Sequence, residues 1–230
     1  MQADVAVESR AKALIDAAIE RHGRLDILVN NASHGGVPPG GLESIDLDDF
    51  MHTLAVHAGG VLAGMKHAAP VMARQASGNI INTASTSARL AGWSGTAYSA
   101  AKAAVVQLSR CAAIELGRHG IRVNSVSPAP IPTGIFGKAA DLDGRAADQS
   151  AAQLEPAFVE ALEDYQSLPR AGRPGDVGRA ILWLANDSAA FVTGQDIVVD
   201  CGITAVRPIS ISVNERAQLA LAFNALRDAP

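Results

Sequence analysis

The chain has 230 residues, 48% of them apolar and only 4% aromatic, with a formal net charge of −4. That composition supports one sizeable core built mainly of Ala, Val, Leu and Ile. Acidic and basic residues are interspersed, which excludes a basic stripe for nucleic acid or an anionic membrane, and no apolar run approaches the ~18 residues of a membrane span.

The first residues, Met1-Gln2-Ala3-Asp4, do not read as a signal peptide, so a cytoplasmic protein is expected. Cys111 and Cys201 lie on different elements and are expected to be buried, reduced thiols. The sequons at Asn31 and Asn186 are then chance matches. From Val7 to His22, Ala11, Leu14, Ile15, Ala18 and Ile19 share one helical face, and Gly23 stops the helix. Leu25 to Asn30 reads as a short strand buried on both faces. A loop holding Gly35, Gly36, Pro38, Pro39, Gly40 and Gly41 follows. Asp46 or Asp48 caps a helix running to about Ala73.

Ile80 to Ala84 is the next strand, Ala97 to Leu116 a long helix ending near Gly120, and Ile121 to Val126 a further strand. Pro128 to about Arg170 is irregular and polar, with a helix from Glu155 to Tyr165. Asp176 to Ala185 is helical, and Asp196 to Asp200 is the last strand. Strands alternating with helices predict an α/β fold, a mainly parallel sheet covered on both faces. Residues 1–205 form that domain. Residues 206–230 form an appended extension in which Asn214 caps a helix with Leu219, Phe223 and Leu226 on one side.

The chemistry is concentrated at Tyr98-Ser99-Ala100-Ala101-Lys102. Tyr98 and Lys102 are four residues apart, so one helix face carries both. A phenol ionises near pH ~10, and a neighbouring ammonium lowers that value, giving a proton donor or acceptor usable near neutrality. Ser85 leaves the end of the strand before that helix, where its hydroxyl could bind the same substrate oxygen as Tyr98. Tyr-x-x-x-Lys alone is a weak signal, since a surface phenol beside a snorkelling amine gives the same spacing.

With the flanking segments in view, the chain resembles the short-chain dehydrogenase/reductase family from about Asp4 to Thr204. Asn30-Asn31-Ala32 looks like that family's Asn-Asn-Ala-Gly strand end. Ser85, Tyr98 and Lys102 match its catalytic residues. Arg122 to Pro128 followed by Thr133 looks like its second cofactor loop, and Gly172-Arg173-Pro174 with Phe191 to Asp200 like its C-terminal segment. The resemblance implies a doubly wound, Rossmann-like dinucleotide-binding fold and hydride transfer between NAD or NADP and an alcohol or carbonyl substrate. It makes Tyr98 the acid/base. Lys102 would lower its pKa and hold the nicotinamide ribose, and Ser85 would polarise the carbonyl. It also places Asn31, Ala32, Pro128, Ile131 and Thr133 against the cofactor, with Asp4 and Val5 near the adenine. Pairing through the two long helices into a homo-oligomer is implied as well.

The chain also departs from the family pattern. The glycine-rich loop Thr-Gly-x-x-x-Gly-x-Gly does not precede these motifs, so the pyrophosphate and ribose-reading elements are expected to be missing and cofactor binding weakened. The strand Ile27-Leu28-Val29 would then be an open edge beside an exposed apolar patch. Ser33 replaces the Gly of Asn-Asn-Ala-Gly, Ala129 the Gly after Pro128, and Cys201 one Gly of a usual pair. His57 stands where many members carry an Asn thought to help a proton relay. It reads equally as a relay histidine or as a helix histidine bonded to backbone. The other histidines read as surface or loop residues without metal-ligand spacing. Trp93 reads as a pocket wall or simple packing. Beside the dehydrogenase reading stand two others: a non-catalytic partner that pairs through the long helices, and a nonfunctional fragment.

Overall fold

The computed structural model describes residues 2–34, 41–139, 142–168, 170–205 and 209–227. The loop expected at Gly35 to Gly40 lies outside the described residues. In chain order the elements are α1 (Glu8–His22), β1 (Ile27–Asn30), α2 (Leu47–Leu54), α3 (Gly60–Gln75), β2 (Gly78–Thr83), α4 (Thr96–Gly117) and β3 (Ile121–Pro128). They continue with α5 (Gly134–Ala139), α6 (Gly144–Leu162), α7 (Pro174–Ala185), β4 (Asp196–Val199) and α8 (Ile209–Arg227). The four strands form one parallel sheet in the order β1-β2-β3-β4.

Both faces of the sheet carry helices, as parallel pairing requires. On one face Ile80 and Val123 pack with Val61, Met65 and Met72 of α3, Val105 and Ala113 of α4, and Ile15 of α1. On the other, Ile81 and Val126 pack against Leu184 of α7 and Ala189. The small side chains of α3 and α4 bring those helices close to the strands. A Cβ on Gly64 would come within 2.4 Å of the Asn30 side chain.

Local sequence sets most boundaries. Gly23 ends α1 with φ 73°, a left-handed conformation glycine adopts without strain. Asp46 caps α2 by accepting from the backbone N–H groups of Asp48 and Asp49 at 2.8 and 3.0 Å. Gly120 turns α4 into β3 at φ 72°, with the Ala76 carbonyl oxygen only 2.6 Å from where a Cβ would sit.

The fold corrects several expectations. The helix expected from Asp46 to Ala73 is broken by a π turn at Ala55–Gly59 that carries His57. Such turns insert one residue into the ladder and re-aim side chains. The polar stretch after Pro128 is more helical than expected. Asp143 caps α6 by accepting from the Ala146 N–H at 2.9 Å, so that helix starts well before Glu155. Asn214 lies inside α8 rather than at its cap. Leu219 is exposed, and the side chains of Phe223 and Leu226 lie outside the described residues. β1 is the open sheet edge that the departures from the family pattern implied, not the strand buried on both faces that its apolar run suggested: Ile27 is 45% and Val29 40% exposed. Both thiols are free, but neither is buried as expected: Cys111 is exposed and Cys201 half-buried.

Candidate active site

In a parallel sheet, ligands gather outside the carboxyl ends of the strands. Here those ends are Asn31 after β1, Thr83 to Ser85 after β2, and Pro128 to Thr133 after β3, and together they open on a cavity of about 820 Å³. Ser85, Tyr98 and Lys102 all line it.

Each of the three is held from a different direction. Ser85 is in extended backbone at the end of β2, and its Oγ accepts from the Ser87 N–H at 3.2 Å, starting a short 3-10 turn. That turn is anchored by Arg89, which donates to the Asp196 carboxylate at 2.8 Å. The Asp196 side chain is only 1% exposed and also accepts from Ser125 and Ser127, each at 2.8 Å, tying β3 to β4. Tyr98 sits in the first turn of α4. Lys102, one turn on, is 2% exposed, and its Nζ donates to the Thr83 carbonyl at 2.8 Å. The end of β2 thus fixes the lysine while presenting Ser85.

The electrostatics differ from the expected pattern. Burial pushes the Tyr98 phenol above its ordinary pKa, and hydrogen bonding by the Ser85 and Ser33 hydroxyls only opposes that rise. The Lys102 ammonium stands over the ring, 5.5 Å from its centroid, and donates to the Thr83 carbonyl, but the net lowering expected for the phenol does not result. Burial lowers Lys102 itself from 10.5 to about 8. His57 is 1% exposed, and burial, with the Lys102 and His34 charges, lowers it to about 3, so its ring is neutral at physiological pH.

The cofactor candidates divide between two places. Asn31, Pro128, Ile131 and Thr133 line the cavity with Tyr98 and Lys102. Val5 and Ala32 line a smaller groove beside α1 and β1, which Asn31 also reaches. Asp4 lines neither; its Oδ1 accepts from the Ala6 N–H at 3.0 Å. Trp93 does both things expected of it, lining the cavity and packing edge-on against Tyr165 at 5.2 Å.

His57 is outside the cavity lining and behind Tyr98, with ring centroids 5.1 Å apart. Two residues near it escaped the sequence reading as site residues. Ser33 Oγ lies 3.5 Å from His57 Nδ1. His34, read as a loop residue, packs against the His57 ring at 4.9 Å. Ser33 and His57 are 24 positions apart, and only the fold joins them.

Among the described residues there is no group of His, Cys, Asp and Glu that could hold a metal ion. No helix among them is long and apolar enough to cross a membrane.

Residues 1–204 match the family described as enoyl-(acyl carrier protein) reductase. Momilactone A synthase of Oryza sativa is 39% identical over 206 residues, covering 88% of this chain and 71% of that protein. The chain belongs to the short-chain dehydrogenase/reductase family. (+)-Borneol dehydrogenase 2 of Salvia officinalis is 34% identical over 201 residues, covering 87% of this chain and 70% of the relative. The fold agrees. Aldohexose dehydrogenase of Thermoplasma acidophilum superposes with a TM-score of 0.78 at 29% identity, over 90% of this chain and 79% of that one. Gluconate 5-dehydrogenase of Burkholderia cenocepacia, solved with NADP and tartrate, gives 0.76 at 29% identity, over 89% and 74%. A short-chain dehydrogenase/reductase is an NAD(P)-dependent oxidoreductase, and the parallel α/β sheet is its Rossmann-like fold.

Proposed function

We propose that this chain interconverts an alcohol and a carbonyl compound, with Tyr98 as the acid/base, Ser85 and Lys102 beside it, and His57 behind it on the proton path. The observation that carries the reading is that Ser85, Tyr98 and Lys102 line one cavity at the strand ends. The donor set fits a nicotinamide nucleotide: Lys102 and Tyr98 offer polar groups one turn apart, Asn31 and Thr133 flank them, and Pro128 and Ile131 give an apolar wall for a flat ring. When bound, that cofactor supplies the acceptor or donor of hydride.

The protein's part is the proton and the oxygen. Ser85 donates to the substrate oxygen and holds it against the phenol. Tyr98 takes the alcohol proton in oxidation and returns it in reduction. Burial favours the protonated phenol, which suits carbonyl reduction. A cationic Lys102 stabilises negative charge on the substrate oxygen as it develops. The walls around this point include Trp93, Ile135 and Phe136. They give an apolar cyclic alcohol a surface to pack against.

The cavity's polar groups serve the nicotinamide half, and among the described residues none of its lining forms a glycine-rich turn for the pyrophosphate. Cofactor binding by the 230-residue chain is therefore weaker than micromolar, each 1.4 kcal/mol lost being about tenfold in affinity. We further infer that residues 1–205 act as one domain with 206–230 appended. Copies associate through α3 and α4, where Leu62 is 50% and Ile114 85% exposed. The two free thiols fit a reducing, cytoplasmic setting.

The test is turnover of borneol and cyclohexanol with NAD+ or NADP+ at about millimolar cofactor, well above a micromolar Kd. Oxidation that Tyr98→Phe abolishes supports the reading. Oxidation that survives the substitution removes Tyr98 from its role.

A further inference from the structure

Among the described residues that line the cavity, only Lys102 and Lys138 carry a charge, and both are positive, in a chain whose net charge is −4. The two cations are not alike. Lys102 is buried, and its Nζ donates to the Thr83 carbonyl at 2.8 Å. Lys138 is exposed, and among the described residues it forms no ion pair. The packing of α5 on α6 sets where Lys138 goes. Gly134 and Gly137, three residues apart, face α6. Gly134 lies against the Asp148 side chain, and a Cβ on Gly137 would sit 2.6 Å from the Ala147 Cα. Phe136 adds an edge-on contact with Phe158 at 4.9 Å. Ile135 and Lys138 are also three apart, so they share another face of the same short helix, and both line the cavity. The acids of α6 leave the lysine uncompensated: Asp148 is turned to Gly134, and Glu155 pairs with Arg173 at 3.0 Å. Other polar lining groups are already committed, Ser87 and Ser94 hydrogen-bonding each other at 2.9 Å.

We propose that Lys138 selects substrates that carry an anionic group on an apolar body, with the reacting alcohol or carbonyl at Tyr98. The proposal deepens the alcohol/carbonyl reading above and rests on it. Ile135 and Phe136 take the apolar body, and the Lys138 ammonium takes the anion. A mostly apolar pocket orients its ligand through a small number of such polar groups. Among the described residues no acidic side chain lines the cavity to compete for the ammonium or to repel the anion. A cofactor phosphate is the other source of an anion in this cavity. Lys138 shares α5 with Ile135 and Phe136, the walls beside the reacting end of the substrate, and that placement favours the substrate as the source. Lys138 is a specificity-determining residue in this scheme; the proton and hydride steps stay with the groups already described.

The test measures oxidation of 4-hydroxycyclohexanecarboxylate and of its neutral amide, with NAD+ or NADP+, by wild type, Lys138→Gln and Lys138→Glu. Wild type is expected to favour the carboxylate in kcat/KM at least about tenfold, the size of one charge-assisted hydrogen bond. The preference should shrink as salt is raised, because the lysine is exposed. Lys138→Gln should bring the ratio to within about twofold of one, and Lys138→Glu should turn it toward the amide. Equal use of acid and amide by wild type, or a preference that survives Lys138→Gln, overturns the proposal. So does a Lys138→Gln variant whose KM rises more for the cofactor than for the acid, since that assigns the lysine to a cofactor phosphate. If wild type turns over neither these compounds nor borneol and cyclohexanol, the alcohol/carbonyl reading fails by itself. Lys138 is then judged by isothermal titration of 4-oxocyclohexanecarboxylate and its amide. Tighter binding of the acid that Lys138→Gln abolishes supports the anion site, and equal binding of the two by wild type overturns it.

Discussion

Lys102 gives the sharpest test of how the site's burial acts on stability. Lys102 is 2% exposed, its ammonium donates to the Thr83 carbonyl, and burial lowers it from 10.5 to about 8. A lysine held that low costs the folded state about 3 kcal/mol at any pH below 8, since each unit is worth about 1.4. Between pH 8 and 10.5 the unfolded chain holds the proton more tightly than the folded one, so stability rises with pH across that window. Lys102→Met removes the charge and fills similar space, while giving up one hydrogen bond worth about 1 kcal/mol. The variant is thus expected to be about 2 kcal/mol more stable than wild type at pH 7, or roughly 4–8 °C in Tm for a chain of this size. The gain should vanish as pH approaches 10.5. Urea unfolding of both proteins from pH 6 to 10.5 reads the difference directly, and titrations elsewhere cancel. A variant less stable than wild type at pH 7, or a gap that widens with pH, would refute the reasoning.

Other outcomes follow from neighbouring parts of the structure. Asp196→Ala strands Ser125, Ser127 and Arg89 around an empty buried site and should cost about 3 kcal/mol in urea unfolding. Gly120→Ala forces a side chain into a left-handed conformation against the Ala76 carbonyl, costing at least about 1–2 kcal/mol by the same assay. Ile114→Glu puts a charge on the exposed apolar side of α4 and should convert an oligomer to monomer in sedimentation, with the fold retained in circular dichroism.

What the sequence disclosed were features with a fixed local period or a single-residue cause. Tyr98 and Lys102 fall on one helix face because of their spacing, and Ser85 follows a strand whose apolar run is plain, so all three meet in one cavity. Gly23, Asp46 and Gly120 act through their own backbone or side chain, and each marks its boundary. Cys201, noted as standing in a glycine pair, has φ 55°, the conformation for which glycine is the usual choice. What stayed hidden depends on who lies opposite. Ser33 seemed a mere loss of glycine until the fold set it beside His57. The exposure of Cys111 depends on neighbours that periodicity does not describe. The Tyr98 phenol rises rather than falls because spacing shows that two groups are near but not that burial outweighs their attraction.

The central claim is that Tyr98, with Ser85 and Lys102, serves hydride transfer in one cavity. The most direct measurement uses cyclohexanol deuterated at its carbinol carbon, with NAD+ or NADP+, and mass spectrometry of the recovered cofactor. The account predicts one deuterium on the reduced nicotinamide with wild type and none with Tyr98→Phe. Label transfer undiminished by that substitution, or no transfer with wild type to either cofactor, would contradict it.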